Sequence, residues 1–352
     1  MALKSLEIWV NADNWWDEDW NYRQKFEIKE NSGRSLSDYQ VRIVVDTASL
    51  ISAGKMQNDC GDIRFTDGEG NKLDYWIEEG CNTASTTIWV KVPFIPASGT
   101  EGVYMYYGNG GVSSASNPES TMYIYDLHGN GYDGSLYGTA NYHSGSPGYI
   151  ELTDTADSQQ GSIRYSRGTP SPGFYATWEW YTGDGSGADS NNLKAWHTGS
   201  RFEHEDPNGN GIGYILNDHD DCNGVTWSTQ CGDIESWSEN PAKSDWRSAT
   251  AYGVRNGNTL EYYFSTLGNN VQGSWSDSGF PPGDQFGWSG RTGGLNNHHW
   301  VRRMTVRKYT TPPPTVSKVS GSVSSLIGTD TVSGSGTASV EWSNLQCGKT
   351  YN

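Results

Sequence analysis

Asp218, Asp220, Asp221 and Asn223 place four hard oxygen donors within a short string, Leu216-Asn217-Asp218-His219-Asp220-Asp221-Cys222-Asn223. Calcium takes roughly six to eight oxygen ligands, so this string is the chain's leading metal candidate and Ca2+ the expected cofactor. Two other stretches alternate oxygens in a similar way. Asp67-Gly68-Glu69-Gly70-Asn71 reads as a hairpin turn between two strands. Asp206-Pro207-Asn208-Gly209-Asn210-Gly211 lacks the flanking helices and the closing glutamate of an EF-hand, and also reads as a turn.

The five cysteines carry a second kind of chemistry. Cys60 and Cys81 share one segment, Cys222 and Cys231 another, and Cys347 is left over. No Cys-x-x-Cys occurs, which argues against a zinc ribbon or a thioredoxin-type site. Two local disulfides are the natural expectation, with four buried thiols as the alternative. Disulfides imply an oxidising, extracellular compartment. The first residues, Met1 to Asn11, hold Lys4 and Glu7 and no apolar core, so they do not read as a signal peptide.

Hydrolytic chemistry finds no anchor, and no catalytic residue is assigned. A sandwich glycosidase needs two carboxylates across its cleft, often spaced Glu-x-Asp-x-x-Glu, and no such string occurs. Glu203-His204-Glu205-Asp206 reads as a turn, and neither a nucleophile elbow nor a P-loop is present. Net charge excludes further classes: 24 Lys and Arg stand against 41 Asp and Glu, giving −17. Such a chain would not neutralise phosphate or settle on an anionic bilayer, so neither nucleic acid nor membrane is an expected partner. No apolar run approaches the ~20 residues of a membrane helix.

The elements that must carry these residues are strands. Hydrophobic residues make up only 34% of the chain, yet 13% is aromatic, with 16 Trp and 21 Tyr, which argues for packed ring-rich cores rather than disorder. Period-two runs recur at Lys25–Lys29, Gln40–Val45, Thr87–Val92 and Gly102–Tyr107, separated by Gly, Asn, Asp and Ser clusters. The expected fold class is all-β, built of tandem β-sandwiches. A small-residue stretch at Gly110–Pro118 and the prolines Pro312-Pro313-Pro314 mark boundaries. Residues 1–14 form a leader, 15–116 a first domain, 117–310 a second, 311–314 a proline linker and 315–352 a third segment.

Residues 15–109 resemble a secreted prokaryotic family known as domain of unknown function 2341. The resemblance rests on Trp16-Asp17-Glu18-Asp19-Trp20-Asn21-Tyr22-Arg23, Asp62-Ile63-Arg64-Phe65-Thr66-Asp67, Leu73-Asp74-Tyr75-Trp76-Ile77-Glu78, Ile88-Trp89-Val90-Lys91-Val92-Pro93 and Met105-Tyr106-Tyr107-Gly108-Asn109. It implies a compact, jelly-roll-like β-sandwich and no established activity. Trp16, Trp20, Trp76 and Trp89 read as core rather than as a sugar platform.

Residues 126–309 resemble L-type, legume-lectin-like domains of the concanavalin A-like class. The landmarks are Gln160-Gly161-Ser162-Ile163-Arg164-Tyr165, Gly185-Ser186-Gly187-Ala188-Asp189 and Phe286-Gly287-Trp288-Ser289-Gly290-Arg291-Thr292-Gly293-Gly294-Leu295. The resemblance implies that Asp189 accepts hydrogen bonds from sugar hydroxyls. It also implies that Gly293, Gly294, Leu295, Asn296 and Asn223 join it at the ligand, and that Asp218, Asp220, Asp221 and Asn223 hold calcium. Leu216 stands where the family has a glutamate, which removes a ligand from the neighbouring transition-metal site. Trp196, His197, Trp227, Trp237, Trp275, Trp288 and Trp300 are possible stacking partners, most of them expected in the core.

Residues 340–351 resemble the Leu-x-x-Gly-x-x-Tyr corner of fibronectin type III-like domains. That implies an incomplete third sandwich, either truncated or completed by strand addition from another chain. The expected function is a secreted or cell-surface, lectin-like protein that binds glycans. The alternatives are a structural adhesin or filament subunit and, further off, a glycoside hydrolase.

Overall fold

The computed structural model describes residues 15–187, 190–199, 202–204, 208–217, 222–228, 233–280, 283–319 and 324–325. Their regular structure is almost all strand, and every strand pairing among them is antiparallel. Among the described residues no helix is long and apolar enough to cross a membrane.

Two sheets enclose a first core. One is ordered Thr315–Lys318, Tyr22–Lys29, Thr100–Tyr107, Arg64–Thr66 and Lys72–Leu73, with Ser324–Ser325 also beside Tyr22–Lys29. The other has three strands, Leu36–Val45, Thr86–Ile95 and Tyr75–Glu79. Alternation decides what goes inside: Val41, Ile43 and Val45 are buried, while Arg42 and Val44 face out. Cys60 and Cys81 form a disulfide that ties the loop before Arg64–Thr66 to the turn after Tyr75–Glu79.

Two larger sheets enclose the second core. The eight-stranded sheet places His298–Lys308 between Tyr149–Thr153 and Gly173–Gly183, then continues through Arg247–Asn256, Thr259–Thr266 and Asn269–Ser276. The seven-stranded sheet runs Glu235–Ser238, Cys222–Thr226, Ile212–Asn217, Ser190–His197, Gln285–Arg291, Gln160–Tyr165 and Ser135–Gly138. Rings fill the space between them. Trp288 meets Trp178 at 5.9 Å and Phe286 at 5.8 Å, and Phe174 meets Phe286 at 5.1 Å and Tyr214 at 5.6 Å.

The two sandwiches touch through a polar and aromatic junction. The Gln40 side chain donates to the Thr121 carbonyl at 3.1 Å and accepts from the Lys308 amide at 2.8 Å. The Arg307 guanidinium lies over Trp89 of the first sandwich at 4.9 Å, and over Tyr175 and Tyr309 of the second at 4.3 and 4.9 Å. Asn117 caps the helix Pro118–Thr121 at this junction, accepting from the amides of Glu119 and Ser120.

One boundary differs from the sequence-based expectation. Thr315–Lys318 does not open a separate third domain; it is an edge strand of the first, in register with Phe26–Lys29. Val316 packs against the first core, so its apolar side chain is used there. Ser324 and Ser325 continue along the same strand opposite Arg23 and Tyr22. The fibronectin-like motif at 340–351 and Cys347 lie outside the described residues.

The Cys60–Cys81 bridge closes a loop with a sequence separation of 21. Replacing both cysteines with alanine is expected to cost the first sandwich about 3 kcal/mol in urea unfolding. A loss below about 1 kcal/mol would show that the bridge does not restrain the unfolded chain.

Candidate functional site

Strand register brings four strand ends to one rim of the second sandwich. Ser190 pairs with Arg291 on one side and with Asn217 on the other, and Asn217 pairs with Cys222. The loops that leave these residues are the ones singled out in the sequence. Asp189 precedes Ser190, Asp218, Asp220 and Asp221 join Asn217 to Cys222, and Thr292 to Asn296 follow Arg291. Asp189, Asp218, Asp220, Asp221 and Cys231 themselves lie outside the described residues. Cys222 is disulfide-bonded.

The described parts of the rim interlock. The Gly185 amide donates to Asn297 Oδ1 at 2.8 Å, the Gly187 amide to the Asn296 carbonyl at 3.2 Å, and the Asn296 amide to Ser186 Oγ at 3.1 Å. Asn296 Nδ2 donates to Asp157 at 2.7 Å. The Gly293 carbonyl accepts from Ser158, and Thr292 Oγ1 donates to the Ala156 carbonyl. Gly294 has open space where a Cβ would stand, and Leu295 is 41% exposed. The 185–187 loop thus meets the 293–297 loop, with an apolar side chain presented to solvent between polar backbone.

Asn223 is fully buried within the strand Cys222–Thr226, paired with the core residue Leu216 and with Trp237. Its side-chain nitrogen donates to the Glu239 carbonyl at 2.6 Å, and its Oδ1 is buried with no hydrogen-bond partner. Leu216 is 1% exposed in the core. Among the described residues no group of three His, Cys, Asp or Glu could hold a metal ion. Asp218, Asp220 and Asp221, expected at calcium with Asn223, lie outside the described residues.

Of the tryptophans, Trp288 and Trp196 are core, and Trp227, Trp237 and Trp275 pack against it half-buried. In the first sandwich Trp20 donates to the Asp62 carbonyl, Trp76 packs on Tyr125, and Trp89 lies under Arg307. All of these are structural. His197 is buried against Phe202.

Trp300 is different, and its neighbours were missed in the sequence. It sits on the outer face of the eight-stranded sheet, stacked on Tyr181 at 4.4 Å and beside Tyr149 at 4.7 Å and Trp246 at 6.1 Å. Its indole nitrogen donates to Glu151 at 3.1 Å, and Glu151 also faces His143 at 3.4 Å and His298 at 3.7 Å. Arg302 lies over Trp246 at 3.8 Å and pairs with Glu179 at 2.6 Å. The signal was available as outward parity: Tyr149 and Glu151, Glu179 and Tyr181, Trp300 and Arg302 all face away from the core. Gly183 pairs with His298, so this patch adjoins the 185–187 loop. Half-buried rings bordered by carboxylates, imidazoles and a guanidinium suit a ligand with both apolar faces and hydroxyls.

Residues 59–133 match the family model described as domain of unknown function DUF2341. Of solved structures, the Lotus tetragonolobus seed lectin is similar at 13% identity, with 53% of this chain and 95% of that chain covered and a TM-score of 0.36. The exoplasmic/lumenal domain of VIP36 in its Ca2+/Man-bound form is similar at 16% identity, covering 57% and 97%, with a TM-score of 0.39. The basic winged bean lectin with Tn-antigen is similar at 12% identity, covering 55% and 97%, with a TM-score of 0.40. No curated protein matches the chain.

The interlocked loops make a testable demand at Gly185. A Cβ there would stand 2.0 Å from the Asn296 carbonyl, which is backbone and cannot swing aside. Gly185→Ala is expected to part the two loops and lower stability by about 1–3 kcal/mol in thermal unfolding. An unchanged midpoint would mean that the loops do not meet.

The second sandwich is also expected to lose stability in acid. Desolvation by burial pushes His299 and His197 down to about 3, helped by neighbouring His298 and Lys194 respectively. The same cause, with Arg303, pushes His128 down to about 4. These histidines stay neutral when folded and take up protons on unfolding below about 6.5, so stability falls as pH drops from about 6.5 toward 4. Asp126 opposes this between about 4 and 6, because burial outweighs its bond from Tyr165 and raises it to about 6. Three groups against one predict a lower melting midpoint at pH 4.5 than at pH 7, and a flat profile would contradict the buried neutral imidazoles.

Proposed function

We propose that the second sandwich binds glycans at the rim where its loops converge, on a protein that works outside the cell. The observation that supports this is the register Arg291–Ser190–Asn217–Cys222, which sets four strand ends side by side at one rim. In this reading Asp189 accepts hydrogen bonds from sugar hydroxyls. Leu295 and the backbone from Gly293 to Asn296 border the sugar, and the Trp300 patch extends the surface for further rings. Calcium, when bound, would order the hairpin through Asp218, Asp220 and Asp221. No residue is assigned a catalytic role, and the activity is binding. The sequence resemblance to L-type lectins supplies the ligand class. The Cys60–Cys81 disulfide supports the extracellular setting.

A second reading, a structural subunit of an extracellular assembly, is favoured by sheet edges of the first sandwich that have no strand partner among the described residues. A glycan array run in calcium and again in chelator separates the two. Glycan binding is expected with calcium, at least tenfold weaker in chelator and in Asp189→Ala. Absence of binding to any glycan, or binding indifferent to Asp189, would remove the lectin reading. Reducing sugar released from a bound glycan would replace it with hydrolysis.

A further inference from the structure

A cleft of about 440 Å³ opens at the junction of the two sandwiches. It stands apart from the rim of the second. The strand Gly173–Gly183 carries Tyr175 at the junction, under Arg307, and Gly183 beside the rim at its other end. The walls of the cleft are chiefly apolar, with Phe26, Val41, Val44, Pro313, Pro314 and Val316 among them. Clefts of this size between domains commonly take small organic ligands.

The polar groups in the cleft are of one kind. Arg42, Arg307 and Lys318 line it, and no carboxylate does. In a chain of net charge −17 that is a local reversal of sign. Arg42 donates to Thr87 Oγ1 at 3.1 Å. Arg307 instead lies over Trp89, Tyr175 and Tyr309, and among the described residues it makes no hydrogen bond or ion pair. The Glu78 carboxylate pulls on its charge, but accepts from the Trp89 indole nitrogen at 3.0 Å. Burial pushes the Arg307 guanidinium below its ordinary range, as expected of a cation short of a counter-ion. Tyr39, which also lines the cleft and feels the Arg307 charge, is 2% exposed, and its hydroxyl has no hydrogen-bond partner. A buried hydroxyl in that state is costly, and an acceptor brought into the cleft would relieve it.

The shape narrows the ligand further. A second cleft of about 260 Å³ shares Phe26, Val44 and Lys318 with the first. Val45, Leu50, Met105 and Tyr107 line it. Its carboxylate, Asp46, is engaged by Ser49 at the start of the helix Thr47–Ser52. The apolar lining therefore continues beyond the first cleft, while Arg307 borders the first alone. A ligand rich in hydroxyls would leave them unbonded against valine and proline. A long apolar body with an anion at one end meets both halves of the lining.

We propose that the junction cleft binds an aliphatic carboxylate, its head on Arg307 and Tyr39 and its chain along Val44 toward Met105. A guanidinium gives a carboxylate two parallel hydrogen bonds, and the Tyr39 hydroxyl gives a third. Arginine sheds water more readily than lysine, which suits a half-buried head site. The occupant touches both sandwiches, so binding would also brace the junction. The site uses no residue of the rim and does not rest on the glycan reading.

Titration calorimetry of the full chain with octanoate, 1-octanol and octylammonium separates charge from chain. Octanoate is expected to bind one to one, 1-octanol at least tenfold more weakly, and octylammonium not measurably. Equal affinity for octanoate and 1-octanol would overturn the proposal, as would the lack of saturable octanoate binding at millimolar concentration. Arg307→Met is expected to weaken octanoate at least tenfold and leave 1-octanol unchanged. Because Arg307 also braces the junction, a second variant reads the site from its mouth. Val44 borders both clefts and is 47% exposed, so a polar side chain is tolerated there. Val44→Asp is expected to weaken octanoate at least tenfold, and octanoate binding indifferent to it would overturn the placement.

Discussion

Trp288 sets the geometry on which the candidate site depends. It is fully buried, pairs with Ile163 and Leu193 on its two neighbouring strands, and meets Tyr165, Trp178 and Phe286 edge-on. A side chain of that size has one acceptable place between two sheets. With Trp288 inside, Ser289 turns to the opposite face of its sheet, where it too is fully buried. Gly290 then faces inward against Leu152 and His299, where a Cβ would come within 2.9 and 3.0 Å. Arg291 follows at the strand end opposite Ser190. Slipping the strand by one residue would expel the indole and drive Arg291 or Ser289 into the core. The rim therefore inherits its register from the core, which is how loops on a rigid scaffold come to hold a defined constellation.

The same parity explains what could be read from the sequence. The all-β class was legible because alternation is local, and the four period-two runs named in the sequence all fall within strands. The Cys60–Cys81 bridge was legible because its partners are near in the chain. The burial of Asn223 was not legible because it depends on pairing with Leu216 and Trp237, which no local pattern reveals. The Trp300 patch was missed because its rings come from positions far apart in sequence, Tyr149, Tyr181, Trp246 and Trp300. Thr315–Lys318 was assigned to a third segment because prolines read as a spacer, while its pairing partner lies almost the whole chain away at Phe26–Lys29.

That last pairing also changes how the two sandwiches relate. The chain leaves the first sandwich near Asn117, builds the second, and returns through Arg307 and Tyr309 to complete the first sheet. Two crossings, rather than one tether, hold the junction, and hydrogen bonds from Gln40 reach both of them at Thr121 and Lys308. A single linker would leave the domains free to swing. With both crossings fastened to the same glutamine, the second sandwich presents its rim from a fixed base.

Several of the chain's arginines are held against aromatic rings. Arg307 lies among Trp89, Tyr175 and Tyr309, Arg23 over Trp15 and Tyr104, Arg64 over Trp20, Arg164 over Tyr137 and Phe202, and Arg302 over Trp246. Guanidinium stacks on rings and sheds water more readily than ammonium, so an aromatic-rich fold draws its arginines against its own surfaces. Those that also meet carboxylates, Arg164 with Glu203 and Arg302 with Glu179, are half-buried as well.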